Sequence, residues 1–188
     1  MKVKINSDSV CDLSPELVEK YGLDIVPLYV VKGGVDHRDG LEITPDDIYE
    51  HVAAGGDLCS TSAVSVGEYE EYFEKFCPAY DGVLLINIGS GFSSCHQNAL
   101  VAAEDYENIR CIDSESLSAA QGLLVLEACR MAETAESIDA LADAVKAMIP
   151  KVEGSFVREA ALSVDDGFEY TYADVFMNEE DGYYHVGN

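Results

Sequence analysis

The sequence predicts an α/β fold in which a mostly parallel β-sheet is covered by helices on both faces. Short apolar runs alternate along the chain with longer segments of helical periodicity, and this alternation is typical of parallel strands joined by helices. The strongest run, residues 83–88, is almost continuously apolar, which is typical of a strand buried on both faces. With 188 residues, of which 48% are hydrophobic, the chain can bury a substantial core.

The first elements follow directly from the N-terminus. Residues 2–6 are predicted to form a strand, and a polar loop follows them. A helix is predicted to begin at Ser14, which suits an N-cap, and to end at Gly22, which suits a C-cap. Residues 24–31 form a second apolar run, in which Pro27 indicates an edge strand or a bulge because proline cannot donate to the ladder.

Glycines and capping residues delimit the next elements. The glycine pair at 33–34 marks a turn. A helix is predicted to start after Thr44 and to stop before Gly55. Ser65 and Glu68 have the spacing of a capping box, which indicates the start of a further helix.

The second half of the chain continues the alternation as far as residue 150. After the strand at 83–88 come a helix at 96–103, a strand at 108–112, a helix at 119–132 and a helix capped by Ser137. The composition then changes, because residues 163–188 are acidic and contain no Lys or Arg. We predict an α/β domain over residues 1–150 and a short divergent, tyrosine-rich C-terminal segment over residues 151–188. Within that segment, edge strands or a hairpin are expected at 168–176 and 183–186.

The chain is strongly acidic. Thirty-six Asp and Glu against eleven Lys and Arg give a formal net charge of −25. Nucleic acid and anionic membranes both require clustered Lys and Arg, so neither is expected as a partner. No apolar run approaches the roughly 20 residues of a membrane-spanning helix. The N-terminus lacks the apolar region of a signal peptide, so we predict a cytoplasmic protein without a membrane span.

The six cysteines do not form a metal-site pattern, because no CxxC pair occurs among them. We predict no metal and no cofactor. Two interpretations of Cys95 stay open: a nucleophile in a serine-rich loop, and a reduced cysteine that fills space in the core. The second is the commoner role of cysteine in cytosolic proteins.

Small hydroxyl residues cluster in several predicted loops. Residues 89–94, Gly-Ser-Gly-Phe-Ser-Ser, directly follow the third predicted strand, and shorter sets occur at Asp8-Ser9, at Thr61-Ser62 and, after the last predicted strand, at Asp113-Ser114-Glu115-Ser116. Loops that follow parallel strands gather at one edge of the sheet, so we expect several of them to face one crevice. Their hydroxyls and free N–H groups are uncharged donors that suit a carboxylate or a phosphate. They lack the lysine of a P-loop and the spacing of a dinucleotide fingerprint.

Individual residues of these loops have alternative roles. For Thr61 and Ser93 we predict ligand binding over helix capping alone, because their loops hold more hydroxyl residues than capping requires. A serine hydrolase would use Ser93 or Ser90 as nucleophile, but Gly89-Ser90-Gly91 falls short of the Gly-x-Ser-x-Gly elbow and no histidine is placed by sequence as the base for Ser93. No catalytic residue is therefore predicted. Asp8 is expected to brace its loop through hydrogen bonds to backbone N–H groups.

Taken together, these loops resemble the DegV family of bacterial fatty-acid-binding proteins. The matching segments are Asp8-Ser9-Val10-Cys11-Asp12-Leu13, Val26-Pro27-Leu28, Asp39-Gly40, Thr61-Ser62-Ala63-Val64-Ser65, Ser90-Gly91-Phe92-Ser93-Ser94-Cys95-His96-Gln97-Asn98-Ala99 and Ile112-Asp113-Ser114. The fourth is like the family's T-S-x-P-S, and the fifth is like its S-x-L-S-G-T-Y-Q-S-A. No single motif is decisive, but the set runs from residue 2 to about residue 150 in the family's order.

The resemblance implies a binding protein and not an enzyme. Family members hold a long-chain fatty acid in an apolar tunnel, and a separate fatty acid kinase phosphorylates the bound lipid that the carrier presents. Carried over to this chain, Thr61 and Ser93 would bind the carboxylate. Ser62 and Ser94 would be their neighbours. Asp8 and Ser9, in the first matching loop, are expected to support the site.

The chain departs from the family's pattern in two ways. Four positions differ within the motifs: Val64 replaces proline, Ser94 glycine, Cys95 threonine and His96 tyrosine. Members also continue into a second domain that closes the tunnel, and residues 151–188 match none of it. The resemblance thus covers the N-terminal domain, and we expect the second domain to be absent or divergent. Two chains could then pair as a homodimer; alternatively, the chain is a degenerate or truncated member that acts as a structural or interaction protein.

Overall fold

The computed structural model describes residues 1–152, 154, 174–177 and 184–187. Their strands are β1 (Val3–Asp8), β2 (Asp24–Val26), β3 (Tyr29–Lys32), β4 (Val35–Arg38), β5 (Ser60–Ser62), β6 (Gly82–Asn87), β7 (Ile109–Asp113), β8 (Asp174–Met177) and β9 (Tyr184–Gly187). Their α-helices are α1 (Pro15–Tyr21), α2 (Pro45–Ala53), α3 (Val66–Phe76), α4 (Cys95–Ala103), α5 (Ser118–Ala132) and α6 (Ile138–Lys146).

A four-stranded parallel sheet in the order β2-β1-β6-β7 forms the centre of the fold. Successive side chains of β6 point to opposite faces, and Val83, Leu84, Leu85 and Ile86 are all completely buried. Val83 and Leu85 pack in a cluster with residues of α3 and α4. Leu84 and Ile86 pack in a second cluster with residues of α5 and α6. The prediction of a parallel sheet with helices on both faces is confirmed.

The helices begin where the capping residues predict. Ser14 accepts a hydrogen bond from the Leu17 N–H at the start of α1. Thr44 and Ser65 form complete capping boxes at the starts of α2 and α3. Each cap satisfies an N–H group that has no carbonyl partner within its own helix, which is why these short polar sequences fix the helix starts.

The apolar run at 24–31 is divided between two sheets, contrary to the single strand that its composition predicts. Its first part is β2, at the edge of the parallel sheet, and its second part is β3, the centre of a small antiparallel sheet in the order β4-β3-β5. Pro27 lies at the break between them. The glycine pair at 33–34 forms the predicted turn, with positive φ at both residues, and joins β3 to β4.

In the C-terminal segment, β8 and β9 pair in antiparallel register. The hairpin predicted at 168–176 and 183–186 falls partly on residues 168–173 and 183, which lie outside the described part of the chain, so it stays a prediction. Most of residues 151–188 lie outside it as well, so the proposed division into residues 1–150 and 151–188 stays a prediction.

Candidate ligand-binding site

Three of the serine-rich loops meet at the carboxyl edge of the parallel sheet, as predicted. β1, β6 and β7 are adjacent strands, and hydrogen bonds join the segments that follow them. The Ser90 N–H donates to Asp113 Oδ1 at 3.0 Å. The Gly89 N–H donates to the Ser116 carbonyl at 2.7 Å. The loop after β6 is therefore held in place by the loop after β7.

Asp8 is the last residue of β1 and not a loop residue, which corrects its predicted position. Its side chain is completely buried, and Oδ2 accepts from the Ile88 N–H at 2.7 Å. Oδ1 accepts from Gln121 Nε2 at 2.8 Å. Asp8 thus braces the end of β6, whereas the sequence predicted bracing of its own loop. Burial raises the pKa of Asp8, and these hydrogen bonds oppose the rise.

Ser93 bonds the first amide of helix α4 from the position before the N-cap, which is Ser94 and makes no side-chain capping bond. Ser93 Oγ accepts from the Cys95 N–H at 3.2 Å, while the Ser93 N–H donates to the Gly89 carbonyl at 3.3 Å. The bond from Cys95 occupies one lone pair and leaves the hydroxyl proton free to donate, so it is compatible with ligand binding by the same serine. Ser94, the next residue, is exposed. The prediction that Ser93 exceeds a capping role is not tested by this geometry.

The loop offers fewer backbone N–H groups than its sequence predicts. Those of Gly89, Ser90, Phe92 and Ser93 donate to Ser116, Asp113 and Gly89 within the fold. What remains for a ligand are the hydroxyls of Ser93 and Ser94 and those amides of the first turn of α4, other than the Cys95 N–H, that have no carbonyl partner inside the helix.

Thr61 lies in strand β5 and not in a loop, which corrects the second half of the predicted site. It is exposed and pairs with Val30 of β3, in the small antiparallel sheet. Ser62 is half-buried and pairs with Tyr29. Ser9, the remaining supporting residue, has an internal partner, since its Oγ accepts from the Leu28 N–H at 3.2 Å.

One hydrogen bond joins the segment that follows Thr61 to the helix that follows Ser93. Asn98 Nδ2, on α4, donates to the Val64 carbonyl at 2.8 Å. Val64 comes three residues after Thr61, and Asn98 comes five residues after Ser93. The fold therefore brings the two predicted carboxylate-binding segments together, although they belong to different sheets.

A buried polar network behind the loop was not predicted. Asn87, at the end of β6, donates from Nδ2 to the Tyr69 hydroxyl at 3.1 Å. Among the described residues, neither Oδ1 nor Nδ2 of the fully buried Asn6 has a hydrogen-bond partner. The sequence signal for these buried polar side chains is a single asparagine inside each apolar strand run. The surrounding apolar residues predict only a buried strand.

The geometry does not favour hydrolytic chemistry. Cys95 is completely buried, so its thiol is shielded from solvent. Burial lowers the pKa of the half-buried His96, which follows Cys95 on α4. In the part of the chain that the structure describes, Ser93 Oγ bonds the Cys95 amide and no histidine ring contacts it. The paired nucleophile and base that covalent catalysis requires are not assembled there.

Three further observations concern ligands in general. A cavity of about 440 Å³ lies between the loop after β7, at Glu115, and the segment around Pro150, and neither Thr61 nor Ser93 lines it. Within the described residues, no group of three or more His, Cys, Asp and Glu is arranged to hold a metal ion. No helix of that same part has the length and apolar character needed to cross a membrane.

Similar proteins match this chain over most of its length. The family model described as "Uncharacterised protein, DegV family" matches residues 2–160. A DegV domain-containing protein of Caldanaerobacter subterraneus subsp. tengcongensis is 31% identical over 173 residues, which are 91% of this chain and 59% of that relative. One of Listeria monocytogenes is 33% identical over 141 residues, which are 73% of this chain and 50% of that relative. The chain thus spans about half the length of these relatives.

Solved structures with the same fold give the same result. DegV from Bacillus subtilis, described as a fatty acid binding protein, matches with a TM-score of 0.74 at 27% identity, over 80% of this chain and 55% of that one. A stearic acid-binding protein of Eubacterium ventriosum matches with a TM-score of 0.68 at 36% identity, over 77% of this chain and 52% of that one. Sequence and fold agree along the same stretch, and the chain belongs to the DegV family.

Proposed function

We propose that this chain binds a long-chain fatty acid, with the carboxylate at Thr61 and Ser93. The observation that carries the proposal is the Asn98–Val64 hydrogen bond of 2.8 Å, which joins the segments that hold these two hydroxyl residues. The solved relatives from Bacillus subtilis and Eubacterium ventriosum, described as binding a fatty acid and stearic acid, support the choice of ligand.

The chemistry of this edge suits a carboxylate. The Ser93 hydroxyl keeps its proton for donation while its oxygen accepts from the first amide of α4. The first turn of α4 adds amides beyond the Cys95 N–H, which Ser93 occupies, and the positive end of the helix dipole, which together favour an anion. Thr61 contributes a second exposed hydroxyl from β5. These donors are uncharged, so they hold a carboxylate without a full countercharge.

Exposed apolar side chains flank both hydroxyl residues and support an acyl tail at this edge. Phe92, next to Ser93, is 55% exposed, and Leu58, three residues before Thr61, is 85% exposed. Covering such side chains with an acyl chain is favourable by about 25 cal/mol per Å² of apolar surface removed from water. The tail is therefore proposed to run from the carboxylate site across these side chains.

The proposed role is that of a carrier and not of an enzyme. The chain lacks the lysine of a P-loop, so a phosphate donor would be bound by another protein, and a fatty acid kinase is the proposed partner. A homodimer is proposed as one way to cover the lipid. The proposed compartment is the cytoplasm, which is supported by six cysteines that are all free thiols.

Fatty acid affinities of one threonine variant and one serine variant test the proposal. Thr61→Ala and Ser93→Ala are each expected to weaken fatty acid binding by about 1–3 kcal/mol, the cost of losing a hydrogen bond to a charged group. Ser90→Ala, at an exposed serine of the same loop, is the matched control and should bind like the wild type. Because Ser93 also bonds the first amide of α4, circular dichroism must show that its variant is folded.

Native mass spectrometry of the purified chain gives a second test. A co-purified acyl chain is expected after bacterial expression. If neither monomer nor dimer carries or takes up a fatty acid, lipid binding fails, and a structural or interaction protein that keeps the fold becomes the better explanation. That alternative predicts that the chain folds stably and that the Thr61→Ala variant has the same stability as the wild type.

A further inference from the structure

The small antiparallel sheet meets the parallel sheet at two crossings of the chain. The first is 27–28, between β2 and β3, and the second is 63–65, between β5 and α3. In the described residues, no strand pairing joins the two sheets. The position of Thr61 relative to Ser93 therefore depends on how these two crossings are fixed and on the side-chain hydrogen bond that Tyr29 of β3 donates to Glu68 of α3.

Each crossing carries a hydrogen bond between its backbone and a side chain of a distant segment. At the first, Ser9 Oγ accepts from the Leu28 N–H at 3.2 Å. At the second, Asn98 Nδ2 donates to the Val64 carbonyl at 2.8 Å. The two bonds are not equivalent, because Asn98 belongs to α4, the helix whose first amide donates to Ser93. The second bond is thus a direct connection between the two halves of the proposed carboxylate site.

We propose that Asn98 is a positioning residue that sets the separation between the hydroxyls of Thr61 and Ser93; this inference rests on the proposed fatty acid binding. Val64 is only 2% exposed, so its packing keeps the crossing attached to the core without Asn98. What the amide fixes is the orientation of the Val64 peptide, since a carbonyl that loses its partner turns to find another. Val64 comes three positions after Thr61, so a change in the orientation of this peptide also moves β5.

Two variants of Asn98 test this role. Asn98→Ala removes the donor, and Asn98→Asp keeps the shape of the side chain while placing an acceptor against the Val64 carbonyl. Each is expected to weaken binding of a long-chain fatty acid about tenfold, as the loss of one well-placed hydrogen bond implies. Gln97→Ala removes the exposed side-chain amide of the preceding residue on α4 and keeps its backbone N–H. It is the matched control and should bind like the wild type.

A comparison of head groups separates positioning from general damage to the fold. The fatty alcohol of the same chain length has the same tail but no carboxylate. If Asn98 sets the spacing of the two hydroxyls, its variants lose affinity for the acid. They should bind the alcohol within about twofold of the wild type, which is a smaller change in binding free energy than the loss of one hydrogen bond. Equal loss for acid and alcohol, or no loss for either, overturns the inference.

Hydrogen–deuterium exchange of the ligand-free chain gives a test that does not depend on lipid. Amides of residues 59–64 are expected to exchange faster in both Asn98 variants than in the wild type or in Gln97→Ala. If the wild type binds neither acid nor alcohol, the proposed function fails, whereas faster exchange at 59–64 still supports the positioning role. If the wild type binds the acid and exchange at 59–64 is unchanged in both variants, the positioning role fails while the function stands.

Discussion

The two halves of the candidate site are built in very different ways. Ser93 follows β6, a central strand whose side chains are fully buried, and its loop is held by hydrogen bonds that Asp8 and Asp113 accept. Thr61 lies exposed on β5, a three-residue strand paired with β3 in a small peripheral sheet. Segments with few buried contacts open more readily than core strands. The first half is thus fixed before a ligand arrives, whereas the second depends on local ties such as that of Asn98.

This difference predicts which substitutions damage the fold and which affect binding alone. Changes in β6 or its loop should lower the free energy of unfolding. Changes near β5 should leave that free energy almost unaltered while still altering affinity, because β5 contributes little buried surface.

The largest contrast is expected between two leucines. Leu84→Ala, in β6, removes a completely buried side chain and should lower the free energy of unfolding by about 2–5 kcal/mol. Leu58→Ala, two residues before β5, removes a side chain that is 85% exposed and should change it by less than about 0.5 kcal/mol. Urea denaturation measures both. A loss above about 1.5 kcal/mol at Leu58, the size of a buried side chain, would show that β5 is part of the core.

Fatty acid affinity sharpens this comparison. If the acyl tail covers Leu58, its alanine variant binds more weakly although its stability is unchanged. Equal affinity in Leu58→Ala and wild type would remove this side chain from the proposed path of the tail.

Two glycines of the Ser93 loop provide the next contrast. A Cβ at Gly89 would lie 2.8 Å from the Ser116 backbone nitrogen and 2.9 Å from the Glu115 carbonyl carbon, so Gly89→Ala must displace backbone. The expected cost is about 1–3 kcal/mol of stability, as for other overpacked sites. A Cβ at Gly91 meets nothing within 4 Å, and Gly91→Ala is the control. Thermal unfolding of both variants tests whether contact with the loop after β7 fixes the Ser93 loop.

The parallel sheet could be predicted because its signals are local and strong. The apolar run at 83–88, the capping boxes at Thr44 and Ser65, and the glycine at 22 each identify an element without reference to the rest of the chain. The small sheet could not be predicted in the same way. β5 is Ser60-Thr61-Ser62, which is too short and too polar to show a period of two. Its partner β3 could not be recognised as a separate strand, because most of it belongs to the continuous apolar run at 24–31.

The loops that hold the candidate donors could be predicted from the sequence, but their geometry could not. Serine-rich loops after strands indicated where donors gather, whereas the bond of Asp8 to the Ile88 N–H at the end of β6 was not predicted. The contacts that fix the geometry join residues far apart in sequence, 80 positions for Asp8–Ile88 and 34 for Asn98–Val64. No periodicity or spacing rule relates such pairs. A side-chain amide that caps a distant carbonyl leaves no pattern in a single sequence.

The smallest expected effect concerns the acid that braces the Ser93 half. Burial raises the pKa of Asp8 above its usual value of 3.8, so between 3.8 and the raised value the native state holds more protons than the unfolded chain. The stability that Asp8 contributes is fully present below pH 3.8 and decreases as pH rises through the native pKa. Asp8→Asn cannot ionise, so its stability relative to the wild type should increase as pH rises from about 4 towards neutrality.

Urea denaturation at stepwise pH values measures this difference, with Asp57→Asn, at an exposed position before β5, as the control for one net charge. Asparagine at position 8 can still accept from the Ile88 N–H, so the brace survives and the variant should keep its affinity for a fatty acid. A stability difference that decreases with rising pH would mean that hydrogen bonds from Ile88 and Gln121 outweigh burial and hold the carboxylate ionised. The Ser93 half would then owe its rigidity to a buried charge, and acidification would loosen it before the exposed β5 half.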